Sequence, residues 1–177
     1  MSPSEIKSAF ERNVRAIEAR PSIGRKTAQT RVTVRDGTTC EIEAAHWKFL
    51  CDVGTLQGGN DAGPGPGILE RGALGACLAI GYVTWAAVMD VPLEHVEVLV
   101  EADFDAAGQY GIGDATPGWN EIRYTVIVQS SATEEDVMRV IEKADRLSPV
   151  RDDFARGIPT HRLVQYTPIA APEPAGS

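Results

Sequence analysis

Thiols are scarce in this sequence. Its 177 residues hold three cysteines, Cys40, Cys51 and Cys77, an odd number with no CxxC among them. That excludes a secreted disulfide framework and fits free thiols in a reducing compartment, so a cytoplasmic location is expected. Basic residues are in deficit too: 17 Lys and Arg against 25 Asp and Glu leave a formal net charge of −8. A nucleic-acid partner is not expected, because such binding needs clustered cations to release counterions from phosphate. His46, His95 and His161 are scattered, with no HxxxH spacing and no cysteine beside them, so neither a metal site nor a cofactor is expected. Met1 to Arg20 has no continuous apolar core, which argues against a signal peptide.

Long apolar runs are scarce as well. One occurs, Gly72 to Met89, with no charge over 18 residues. This is the lower edge of membrane-spanning length, but the run is rich in Gly and Ala and stands alone. It reads as a buried helix of a soluble protein, with no membrane partner. A helix apolar on every side must be wrapped, and a chain this small needs a second subunit to do it.

Ser2-Pro3-Ser4-Glu5 is a helix start: a serine cap, proline at the first position and a glutamate closing a capping box. Ile6, Phe10, Val14 and Ile17 follow at helical spacing, and Pro21 ends the run. Residues 1–22 thus form an N-terminal helix, 23–167 the main domain and 168–177 a disordered tail. Alternation predicts strands at Thr30 to Arg35, around Cys40 and Ile42 after the Asp36-Gly37 turn, and at Ala45 to Cys51. Gly54 to Gly67 is rich in glycine and proline but lacks a Gly-Lys-Ser/Thr ending, so it is a shaped loop rather than a phosphate cradle.

Beyond the long helix, Val96 to Phe104 and Ile122 to Val128 alternate as strands on either side of a turn-rich link, Gly108 to Asn120. Thr133 caps a helix with Glu134, Glu135 and Asp136 in its first turn, and Val137, Val140, Ile141 and Ala144 on its apolar side. A short helix from Pro149 to Arg156 and a last strand, Thr160 to Tyr166, complete the pattern. Runs of strands separated by helices indicate the α+β class.

Several of these pieces, in order and spacing, resemble the OsmC/Ohr family (osmotically inducible and organic hydroperoxide resistance proteins). They are Gly58-Gly59 with Gly63-Pro64 and Pro66, then Gly72 to Cys77 in the apolar helix, Pro117 to Ile122 and Leu147-Ser148-Pro149-Val150. The resemblance implies antiparallel sheets wrapped around long central helices in an intertwined homodimer. It also implies a thiol-dependent peroxidase acting on organic hydroperoxides. In that chemistry one cysteine attacks the peroxide and becomes a sulfenic acid, a second condenses with it, and an arginine and a glutamate hold the first as thiolate.

Cys77 matches the first cysteine, and Arg35 in Val34-Arg35-Asp36-Gly37 matches the arginine. The second cysteine falls on Ser148, which also reads as a plain helix cap before Pro149. The glutamate falls on Gly67. Glu70, two turns before Cys77 on the same helical face, is a substitute or an ordinary first-turn acid. The chemistry expected is therefore of a one-cysteine type, with catalytic Cys77, Arg35 and Glu70 and an external thiol as reductant. Cys40 or Cys51 could resolve the sulfenic acid instead, although Cys51 also reads as a small buried hydrophobe. The alternative is a non-catalytic homodimer binding a small apolar ligand between subunits, with Cys77 as a packing residue.

Overall fold

The computed structural model describes residues 1–168. Of the expected tail, 168–177, all but Pro168 lies outside the described residues. Helix α1 spans Pro3–Ala19 and begins as the sequence reading has it: Ser2 Oγ accepts from the Glu5 N–H, and a Glu5 oxygen accepts from the Ser2 N–H at 2.6 Å. Strands β1 (Arg31–Asp36), β2 (Thr39–Ala44) and β3 (Trp47–Cys51) form an antiparallel sheet in that order. Helix α2 runs Pro66–Val88, and β4 (His95–Phe104) pairs antiparallel with β5 (Trp119–Gln129). Helices α4 (Glu134–Arg146) and α5 (Pro149–Ala155) follow. The α+β class is as expected.

Two local expectations need correction. The turn-rich link contains a one-turn helix, α3 (Ala106–Gln109), capped by Asp105 through a 2.9 Å bond to the Ala107 N–H. Thr160 to Tyr166 is not a strand. Its alternation is real, but a strand needs an edge to pair with, and none of the described residues offers it one. Leu163, Val164 and Tyr166 are 86%, 72% and 84% exposed.

The core lies between α2 and the β4–β5 sheet. Leu74, Leu78 and Tyr82, each four residues on, form one stripe of α2 and are buried against Val96, Val98, Val100, Ile122, Tyr124 and Val126. Helix α4 closes the other flank with Val140 and Ala144, and α1 sets Phe10 edge-on to Trp85 at 5.0 Å. Gly75 permits the close approach: a Cβ there would lie 3.2 Å from Val100 Cγ2. By length and mean hydropathy α2 is apolar enough to cross a membrane, yet it packs against β4, α1, α4 and α5. Its opposite stripe, with Ala76, Ile80 and Val83, stays open, Ile80 being 66% exposed.

The β1–β3 sheet makes no substantial contact with this body. Cross-strand register puts Val32, Val34, Cys40, Ile42, Phe49 and Cys51 on one face, and Val32, Val34 and Phe49 are exposed. What fixes the sheet to the following loop is Asp52, a buried carboxylate missed in the sequence. It accepts from the Thr38 and Thr39 hydroxyls at 2.7 Å each and from the N–H groups of Val53, Asn60 and Ala62. The loop folds so tightly that a Cβ on Gly63 would sit 2.4 Å from the Leu50 carbonyl oxygen.

The Thr38 hydroxyl, then that of Thr39, hold the Asp52 carboxyl well below the usual range, against the opposing pull of burial. A group whose folded pKa is depressed stabilises the fold above its unfolded value, about 3.9, and loses that contribution as pH falls further. Denaturant midpoints measured from pH 7 to pH 2 should therefore fall further for the wild type than for Asp52→Asn, which starts lower. Parallel curves for the two proteins would contradict this.

Candidate active site

Cys77 lies eleven residues past the start of α2, about 16 Å along the axis at 1.5 Å per residue. The helix dipole acts within the first turn and does not reach it. Its side chain is half-buried in a groove of about 440 Å³ between α2 and the α4–α5 corner, among Ala73, Ile80, Leu147 and Pro149. Cys77 Sγ lies 3.3 Å from Ser148 Oγ. Ser148 is the cap of α5 as expected, accepting from the Arg151 N–H at 3.4 Å, with Pro149 next. The fold thus brings together residues 71 positions apart.

Arg35 and Glu70 are placed elsewhere. Arg35, on exposed β1, forms an ion pair with Glu41, which also holds Lys48 at 2.9 Å. Glu70 accepts from Trp119 Nε1 at 2.9 Å. Within one chain, neither contacts Cys77 nor lines its groove. Trp119 also accounts for the missing glutamate: a Cβ on Gly67 would lie 3.0 Å from the indole edge. The indole fills the space that a longer side chain at 67 would need.

A larger cavity of about 690 Å³ lies beside the first turns of α2, walled by Glu70, Leu74, Phe104, Trp119, Tyr124 and Arg151. Phe104 meets Trp119 edge to face at 5.6 Å, and Arg71 lies over the indole. Behind this wall runs a polar cluster that the sequence did not reveal. Tyr82 and Tyr124 donate to the two oxygens of Asp145 at 2.7 and 2.9 Å, and Arg151 Nε donates to the Tyr124 hydroxyl at 3.0 Å. Burial first, then the Asp145 carboxylate, push the Tyr82 hydroxyl far above its ordinary value, so it stays a donor. These residues span four elements and share no local spacing. No sequence signal paired Tyr82 with Asp145.

Residues 58–161 match the model of the OsmC-like protein family, more than half of the chain. The chain belongs to that family. Solved structures agree on the fold. An OsmC-like protein from Mycoplasma pneumoniae superposes with a TM-score of 0.63 at 14% identity, over 73% of this chain and 88% of that one. An organic hydroperoxide resistance protein from Elizabethkingia anophelis gives 0.57 at 18%, over 75% and 90%. Another, OsmC from Legionella pneumophila, gives 0.53 at 16%, over 75% and 90%. No curated protein matches in sequence. Membership makes α2 the core helix of an OsmC-like fold, consistent with its packing.

The tyrosine–aspartate cluster joins α2, β5 and α4 just behind the α4–α5 corner that carries Ser148. Tyr82→Phe leaves one Asp145 oxygen without its donor and should cost roughly 1–3 kcal/mol of unfolding free energy. Urea denaturation measures it. A loss below about 0.5 kcal/mol, within the range of ordinary surface substitutions, would contradict the assigned bond.

Proposed function

We propose that this OsmC-like protein is a cytoplasmic homodimer that reduces organic hydroperoxides through Cys77 in a one-cysteine cycle. The observation that carries the reading is the 3.3 Å contact between Cys77 and Ser148. The two positions that the resemblance assigns to attacking and resolving cysteines are side by side, with the second thiol replaced by a hydroxyl. In the cycle, the Cys77 thiolate attacks the peroxide. The S–O bond forms, the O–O bond breaks, and the organic oxygen leaves as an alcohol with one proton. An external thiol then displaces water from the sulfenic sulfur, giving a mixed disulfide. A second thiol releases the disulfide product and restores Cys77. The Ser148 hydroxyl cannot enter a disulfide, but it can hydrogen-bond the oxidised sulfur.

The thiolate needs a positive side chain, and the reading takes it from Arg35 of a second copy, held in place by Glu41. Three uncovered features support a dimer: the Ala76–Ile80–Val83 stripe of α2, the Val32–Ile42–Phe49 row of the β1–β3 sheet, and the unpaired segment 160–166. Glu70 keeps a supporting role here, fixing Trp119 at the rim of the cavity rather than touching the sulfur. A second reading, a non-catalytic dimer binding a small apolar ligand, has one observation in its favour. The polar partner of Cys77 within the chain is the neutral Ser148 hydroxyl, in a groove whose lining carries no charged side chain.

Consumption of cumene hydroperoxide with monothiol and dithiol donors separates the two. With Cys40 and Cys51 both replaced by serine, so that Cys77 is the one thiol left, Cys77→Ser should abolish turnover with the dimer intact, whereas Ser148→Ala should keep it within about tenfold, the weight of one hydrogen bond. Wild-type protein inert with every donor would leave the binding reading. Ile80→Asp, placing a charge on the open stripe, should shift the protein to monomer in sedimentation. A dimer unchanged by that substitution would remove the α2 stripe from the interface.

A further inference from the structure

We propose that Cys40 and Cys51 form a second thiol centre, a cross-strand pair that organic hydroperoxides oxidise to a disulfide independently of Cys77. The register of β2 and β3 sets the two residues directly opposite one another. Opposed residues in an antiparallel pair have Cα atoms about 4.5–5.5 Å apart and side chains on one face. A disulfide spans Cα separations of about 4.4–6.8 Å, so the bond can form with little backbone movement. The strand ends are already pinned, because Asp52 accepts from Thr38 and Thr39 across the same end of the hairpin.

The two thiols are unequal, which gives the reaction a direction. Cys40 is half-exposed, and its sulfur has only a long 3.5 Å contact to the Thr38 carbonyl oxygen. Cys51 is 7% exposed, and burial, with the neighbouring Cys40 adding, raises its pKa. Cys40 is therefore the attacking thiol. Its sulfur takes one peroxide oxygen as the O–O bond breaks, and the other oxygen leaves as the alcohol. The Cys51 sulfur then displaces water from the Cys40 sulfenic acid, so two thiols and one hydroperoxide give one disulfide, one alcohol and one water. The closed bond would lock the β2–β3 hairpin, which carries Glu41, the partner of Arg35. Cys77 is not needed, since the β1–β3 sheet does not pack on α2 within the chain.

Trypsin separates the three thiols cleanly: cuts after Arg35, Lys48, Arg71 and Arg123 place Cys40 in 36–48, Cys51 in 49–71 and Cys77 in 72–123. The reduced full chain is treated with one equivalent of cumene hydroperoxide, capped with N-ethylmaleimide and digested without reductant. Peptides 36–48 and 49–71 should appear joined, two hydrogens lighter than their sum, from a chain of monomer mass on a non-reducing gel. The yield should be at least as high in Cys77→Ser and in Cys77→Ala, which remove a competitor for the single equivalent, and Cys51→Ser should leave Cys40 as a sulfenic acid that dimedone traps. The proposal is overturned if both peptides emerge capped, if either is joined to 72–123, or if the link occurs only in covalent dimers. Joined peptides from a protein that shows no peroxide turnover would uphold this pair while removing the proposed role of Cys77.

Discussion

A 23-residue helix with almost no polar side must be surrounded, and the architecture is an answer to that demand. Strands β4 and β5 cover the Leu74–Leu78–Tyr82 stripe, α4 seals the Ala86 side with Val140, and α1 brings Phe10 to Trp85. One stripe remains open, and the sheet and C-terminal segment best suited to cover apolar surface are themselves uncovered. A chain whose unburied helix face, free sheet face and unpaired C-terminal segment find no cover among the described residues has the inventory of half an assembly. The proposed second copy follows from that deficit.

The same helix sets the terms of the chemistry. By holding Cys77 three turns from its start, α2 denies the thiol any benefit from the helix end. By presenting it to the α4–α5 corner, α2 gives it a hydroxyl neighbour in Ser148. The corner is rigid because Asp145 is gripped by tyrosines from α2 and β5, and Arg151 returns from α5 onto one of them. Position is thus well determined and charge is not. The proposed activation arrives through space, and the sheet that makes no substantial contact with α2 of its own chain carries a guanidinium already oriented by a carboxylate.

What the sequence disclosed followed from local physics. Capping at Ser2, Thr133 and Ser148, the alternation in β4 and β5 and the break at Pro21 are decided within a few residues, and each is found in place. The segment 160–166 failed because alternation states a willingness to pair, whereas pairing needs an edge. Asp52 and Asp145 escaped notice because their partners come from distant chain positions, and an acidic residue in a strand end or helix reads as solvated. Arg35 was assigned by resemblance, and Glu70 by helical spacing once the family glutamate fell on Gly67. The folded chain binds each to a neighbour, Glu41 and Trp119, that spacing relative to Cys77 could not name.

The claim on which the functional account turns is that the sulfur at 77 works with the guanidinium at 35 of another copy. Subunit complementation tests it most directly. Two homodimers inactivated by Cys77→Ser and by Arg35→Ala, each also carrying Cys40→Ser and Cys51→Ser, are unfolded together, refolded, and checked for mixed dimers by native mass spectrometry. Half of the dimers would be mixed, with one intact site each, so peroxide reduction should return to about one quarter of the wild-type rate. Mixed dimers that form and remain as inactive as their parents would contradict the account.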